Sequence, residues 1–398
     1  MKGKGKSKSK GKSRDRISAL PQDTIEKILT HMPIRDAVRT SILSRKWRYY
    51  WTSMPKLVFD VNLNPDAMVA SSMVVLSGYE EVDIYKFVNA IFHVLLLRRA
   101  PIFEFSFLVI IETEIYSEID QIILHLSRDN NINKFIFKIL GIDSYLLPRS
   151  FFSLQGLEHL DLSYCIFEFP LMNKGFSRLK CLRFCEVDIT HKMLFRFLTN
   201  CPLLEEFTWA RDYRNTELTE CDLVKLFKCL PLVQVLKIHK LYIKDLGAGS
   251  YSMPHTLPIS LPHLKVLVLG VCFLELSTVL CVINSSPNVE KVKVEICWDH
   301  HWWCLQQTFI NLPDIQDYSG LNLDHLKELE ITNFHNHGLE MEFVKLIMCK
   351  SPVLKKARIE LHSHVSVNEE VKMLRGLVHM PFPRASPAAG FTIERRKY

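Results

Sequence analysis

The stretch LEHLDLSYC, residues 157–165, decides the fold through the spacing of its leucines. Leu157, Leu160 and Leu162 stand at i, i+3 and i+5. In an extended chain successive side chains point to opposite faces, so Leu160 and Leu162 share one face and His159 and Asp161 the other. The same apolar-x-x-apolar-x-apolar pattern returns at Leu179/Leu182/Phe184, Leu204/Phe207/Trp209, Val233/Leu236/Ile238, Leu264/Leu267/Leu269, Val289/Val292/Val294 and Leu326/Leu329/Ile331. Leu354/Ala357/Ile359 repeats it weakly, and Ile102/Phe105/Phe107 and Ile132/Phe135/Phe137 extend it toward the N-terminus.

From Leu157 the repeat starts lie 22, 25, 29, 31, 25, 37 and 28 residues apart. Most fall in or near the leucine-rich-repeat range of about 20–29 residues. A second signal is independent of the first. Pro202, Pro231, Pro262, Pro287 and Pro352 each stand two residues before a repeat start. Proline there separates a preceding helix from the coming strand. Helical spacing is visible in Met193-Leu194-Phe197-Leu198, Leu223-Leu226-Phe227, Val279-Leu280-Ile283 and Phe343-Leu346-Ile347. Each unit is a strand, a turn and a helix whose inward side chains need stacked neighbours to be buried. The expected fold is α/β: a leucine-rich-repeat solenoid with a parallel sheet along one curved face. Residues alternating with the inward ones project from that face. His159, Asp161, Arg183, Lys237, His239, Lys293 and Glu330 are the candidate target-binding residues, and their mixed signs argue against a phosphate-binding surface.

Ahead of the repeats, residues 16–56 read as three short helices. Pro21 suits the first helical position, and Asp23 and Glu26 place negative charge in the first turn. Ile25, Ile28, Leu29 and Met32 make one apolar stripe, which Pro33 ends. A second helix carries Ile34, Ala37, Val38 and Ile42; a third, capped by Ser44, presents Trp47, Tyr50, Trp51 and Met54. Three such helices bury little on their own, which makes an obligate partner physically reasonable.

Leu20-Pro21-x-Asp23, Ile28-Leu29, Met32-Pro33-Ile34-Arg35-Asp36-Ala37, Ser44-Arg45-Lys46-Trp47-Arg48 and Trp51 resemble the F-box of the plant F-box/FBD/LRR-repeat family. Leu57-Val58-Phe59-Asp60 looks like the strand that follows it. The runs from Leu326 to Ile331, Glu342 to Val344, Ser351 to Lys356 and Arg384 to Pro387 are similar to the family's FBD segment, with Ala357 smaller than usual. The chain thus divides into a basic tail at 1–15, an F-box at 16–56, a solenoid at 57–322 and FBD-like repeats at 323–398, with the F-box and FBD segments implied by the resemblance. The resemblance also implies a role: a substrate receptor whose F-box docks on a Skp-type adaptor, and through it a cullin. The residues matching the adaptor-facing motif are Leu20, Pro21, Ile28, Leu29, Pro33, Ala37, Val38, Leu43, Ser44 and Trp47. Packing in a local core is the competing reading for Trp47 and Trp51. An adaptor-binding scaffold outside a ligase remains open.

The sequence carries no nucleophile elbow, phosphate-binding glycine loop or dinucleotide fingerprint. Cys297, His300, His301 and Cys304 are crammed too tightly to converge on zinc, so no cofactor is expected. Trp298, Trp302 and Trp303, in the irregular stretch at 297–322, form a candidate aromatic anchor for a partner, with Trp302 at its centre; burial within the insertion is the alternative. The net charge of +7 equals the excess of residues 1–16, which hold eight cations against Asp15 alone. That tail lacks apolar residues after Met1 and reads as disordered, either a nuclear-import or nucleic-acid-contacting segment or a solubilising one. A neutral remainder makes nucleic acid an unpromising partner for the rest of the chain. No apolar run reaches the length of about 20 residues that a membrane span needs. Eleven cysteines without an export signal read as reduced thiols in the nucleus or cytoplasm.

Overall fold

The computed structural model describes residues 20–45, 47–60, 84–111, 115–128, 131–141, 144–171, 175–210, 223–239, 257–271, 276–296, 321, 323–335, 338–378, 385–386 and 389–395. The basic tail, the tryptophan-bearing stretch with Trp302, and the Cys297–Cys304 group lie outside these residues.

The repeat motif becomes a parallel sheet of twelve strands, ordered β1 (Lys56–Asp60), β2 (Glu104–Ile111), β3 (Lys134–Gly141), β5 (His159–Ser163), β7 (Cys181–Cys185), β8 (Glu206–Ala210), β9 (Val235–Ile238), β10 (Val266–Val271), β11 (Lys291–Ile296), β12 (Glu328–Phe334), β13 (Lys356–Leu361) and β14 (Gly390–Arg395). A small second sheet pairs β4 (Tyr145–Leu146) with β6 (Cys165–Ile166). Chain order follows sheet order because each crossover returns the chain beside the strand it left. The two inward positions of each motif align in register across the sheet. One row runs Leu160, Leu182, Phe207, Leu236, Leu267, Val292 and Leu329; the other runs Leu162, Phe184, Trp209, Ile238, Leu269, Val294 and Ile331. All are buried. Phe105/Phe107 on β2 and Phe135/Phe137 on β3 continue the rows toward β1, so the two N-terminal motifs are true repeats.

Helices cover the face to which these rows point. Helix α3 (Ile84–Leu97) lays Phe87 on Phe107, with ring centres 6.3 Å apart. Helix α5 (His191–Thr199) starts where the Thr190 hydroxyl accepts the Met193 N–H at 3.3 Å. It buries Leu194, Phe197 and Leu198. After α7 (Leu276–Asn284) and α8 (Gly338–Lys350), buried serines take carbonyls that a helix end leaves unpaired. Ser285, Ser286 and Ser351 donate to Cys281, Val282 and Ile347 at 2.9, 2.8 and 2.7 Å.

Phe197 is the centre of an aromatic cluster, with Phe167, Phe169, Phe176 and Phe184 at 5.0, 5.2, 5.8 and 6.1 Å between ring centres. Truncation leaves a hole between rigid rings that cannot collapse. Phe197→Ala should therefore destabilise by about 3–5 kcal/mol, read as a fall in the denaturant midpoint with unchanged slope.

The N-terminal module has the expected three segments, with differences at their ends. Pro21 caps α1 (Gln22–Thr30) instead of opening it, and its carbonyl accepts Thr24 and Ile25 N–H groups at 3.1 Å each. Pro33 does the same for α2 (Ile34–Arg39), accepting Asp36 and Ala37 at 3.0 Å each. The third segment, Trp47–Ser53, is a 3₁₀-helix, as is Thr40–Ile42 after α2. Tightening to three residues per turn rotates Ile42 off the inward stripe, and it is 88% exposed. Trp47, Trp51 and Met54 stay buried.

Candidate protein-interaction surfaces

Among the described residues no helix covers the face of the sheet opposite the helical layer, and the register places most of the candidate target-binding residues on it. Asp161 faces Arg183; Thr208 separates Arg183 from Lys237; Val268 separates Lys237 from Lys293; Glu330 and Arg358 follow. His159 lies in the adjacent row beside Cys181. His239 stands just past β9, its N–H donating to the Trp209 carbonyl at 2.9 Å.

Most charges on this face are spoken for. Lys56 and Lys134 flank Glu104 at 3.7 and 3.9 Å. Lys291 meets Glu328 at 3.0 Å, and Lys293 meets Glu330 at 3.4 Å. Arg358 bridges Glu330 at 3.4 Å and Glu394 at 2.9 Å, and the Glu394 hydrogen bond is the main reason its pKa is raised. Asp161, expected to project into solvent, has a side chain only 6% exposed and lies 3.1 Å from Lys138. Burial, with Lys134 next, pulls the His159 imidazole down, which favours its neutral form. The thiol of Cys181 is pushed up to about 11 by burial. Sequence reasoning missed Lys138, Arg358 and Glu394; for Arg358 the opposite charge of Glu330 at the same motif position of the preceding repeat was a usable signal, whereas Lys138 and Glu394 sit two positions off their partners.

The N-terminal module offers a second surface. Of its ten candidate residues, Leu29, Ala37 and Trp47 are buried in the module's own core. Leu20, Val38 and Ser44 are half-buried, and the Ser44 hydroxyl accepts the Trp47 N–H at 3.4 Å. Pro21, Ile28, Pro33 and Leu43 are exposed, Leu43 by 52%. Ile42 and Tyr49, neither singled out from sequence as contacts, are exposed beside them. Large apolar side chains left in water on so small a module make this a candidate partner surface.

The module and the sheet are in direct contact. The Arg99 N–H donates to the Thr52 carbonyl at 3.2 Å, and its guanidinium stacks 5.0 Å from the Tyr49 ring centre. Pro55 accepts the Phe103 and Glu104 N–H groups at 2.9 and 3.1 Å. The cores of the module and the sheet form one cluster.

Known proteins share this plan. The F-box domain family matches residues 17–59, the LRR repeats of an FBD-associated F-box protein match 123–239, and the FBD family matches 322–359. The F-box/FBD/LRR-repeat protein At1g13570 of Arabidopsis thaliana is 30% identical, over 94% of this chain and 97% of its own length. The chain belongs to the F-box/FBD/LRR-repeat family. The F-box/FBD/LRR-repeat protein At2g04230 is 28% identical over 70% of this chain and 58% of its own length. The FBD-associated F-box protein At5g56370 is 24% identical over 96% of this chain and 84% of its own length; both are from the same plant. An F-box is in general a module for docking on a Skp-type adaptor, and the repeats make the rest an interaction scaffold. Among the described residues no helix is long and apolar enough to cross a membrane, and no group of His, Cys, Asp or Glu side chains is placed to hold a metal ion.

Proposed function

We propose that this chain is the substrate-recognition subunit of an SCF-type ubiquitin ligase. The observation that carries the reading is the pairing of an exposed apolar surface on the F-box with a firmly attached open sheet face. Ile28, Ile42 and Leu43 present the first to a Skp-type adaptor, and the strands present the second to a target protein. The chain supplies no catalytic group. Its contribution is proximity: holding a target near a ubiquitin-loaded conjugating enzyme raises the effective concentration of the target amine. Transfer itself uses a thioester on other subunits. A firm junction favours this role, because a swinging receptor dilutes that concentration.

Affinity purification of the tagged full-length chain from plant cells tests the reading. A Skp-type adaptor and a cullin should both be recovered, and both should be lost with Leu20→Ala/Pro21→Ala. Adaptor without cullin would make the chain a scaffold outside a ligase; neither would remove the docking assignment.

A further inference from the structure

The open face neutralises its charges by pairing them across strands, with a gap in the middle. In the central outward row, Asp161, Lys293, Glu330 and Arg358 each sit in an ion pair. Arg183 and Lys237 do not: among the described residues neither is paired with a carboxylate. The acids nearest in register are within ion-pair distance of neither cation. Asp161 is taken by Lys138, and the Glu206 carboxylate lies 3.7 Å from the Cys181 sulfur.

Arg183 and Lys237 stand two strands apart with Thr208 between them, a separation of about 10 Å at the usual strand spacing. Beside them the outward positions turn apolar: Val235 pairs with Val266, and Val268 follows Lys237 across β9 and β10. All three valines are half-buried. The middle of the face thus holds half-buried valines, two uncommitted cations and one exposed acid, Glu206, and is bounded on both sides by self-neutralised ladders. Carboxylates in those ladders would repel a phosphate chain tracking along the sheet, whereas a short segment over β7–β10 passes only Glu206 among the described acids of that face. In a polyproline-II segment side chains three residues apart share a face and lie about 9 Å from each other, close to the cation spacing.

We infer that β7–β10 bind an acidic segment of a protein, with carboxylates on Arg183 and Lys237 and apolar side chains on Val235, Val266 and Val268. This deepens the receptor reading, and rests on it only in calling the bound chain a target. Arginine adds forked, charge-assisted hydrogen bonds to a carboxylate, and lysine adds a point charge.

The test uses the full-length chain and a fluorescein-labelled peptide of repeated Glu-Leu-Pro, with Gln-Leu-Pro and phosphoserine-Leu-Pro peptides alongside. Fluorescence anisotropy should show the Glu peptide binding about tenfold tighter than the Gln peptide. R183Q/K237Q should remove that preference without shifting the melting temperature. K56Q/K134Q, which deletes two cations elsewhere on the same face, should keep it. If the double variant fails to fold, R183Q and K237Q singly should each lose about threefold. Equal binding of the Glu and Gln peptides, a preference that survives R183Q/K237Q, or binding of the phosphoserine peptide alone would each overturn the assignment. Adaptor recovery is scored separately: losing the adaptor while peptide binding persists defeats the receptor reading and leaves the site intact.

Discussion

Leu182→Asp is expected to abolish cooperative folding of the central repeats, while Arg183→Gln, one residue along the same strand, leaves the melting curve where it was. Leu182 is fully buried, in register between Leu160 and Phe207. The substitution removes a leucine's burial, worth about 2–5 kcal/mol in a core. It also strands a carboxylate with no partner, which costs several kcal/mol more or forces the group to take up a proton. Together these rival the total stability of about 5–15 kcal/mol available to a typical domain. Repeats stabilise their neighbours, so the damage spreads along the stack. Arg183 projects from the open face and is exposed, and surface substitutions usually change stability by about 0.5 kcal/mol or less. Circular dichroism melts with limited proteolysis read both effects. A one-residue slip in β7 would exchange the two outcomes, so if Arg183→Gln melts as badly as Leu182→Asp the register is wrong, and the acidic-segment site goes with it.

How much of this was legible in the sequence depends on what each feature needs. The inward rows needed only local spacing, and Leu157 to Ile359 delivered it. Strand β14 was missed because its motif lacks a large apolar first residue: Ala388 stands three before Phe391. Helix α3 goes unread in the sequence, although Ile84, Val88, Ile91 and Leu95 carry a helical stripe. Ile42 was assigned inward because a 3.6-residue period was assumed where the chain tightens to a 3₁₀ turn. The pairing of Asp161 with Lys138 belongs to another class. It joins repeats 23 residues apart, and only the strand register brings the two side chains together. For the same reason the unpaired state of Arg183 and Lys237 is invisible in a list of charged residues.

The largest functional effect is expected at Ile42 and Leu43. Both lie where α2 gives way to the 3₁₀ turn, and the turn is held by its backbone: the Leu43 N–H donates to the Thr40 carbonyl at 3.0 Å. Their side chains, 88% and 52% exposed, contribute little to that turn. Ile42→Asp/Leu43→Asp should therefore change stability by less than about 1 kcal/mol. Adaptor capture is another matter. Apolar anchors at the centre of an interface are worth about 2 kcal/mol or more each, and a buried unpaired carboxylate adds its own penalty. The loss should be at least a hundredfold in affinity, measured by titrating a purified Skp-type adaptor against the full-length chain. Leu29→Asp supplies the contrast. That side chain is fully buried, as is Ile25 one turn earlier on α1, so its variant should lose the adaptor by unfolding the module, with the change visible in the melt. Retention of the adaptor by a folded Ile42→Asp/Leu43→Asp variant would place the docking surface elsewhere on the module, with the half-buried Leu20 and exposed Pro21 at the start of α1 the next positions to change.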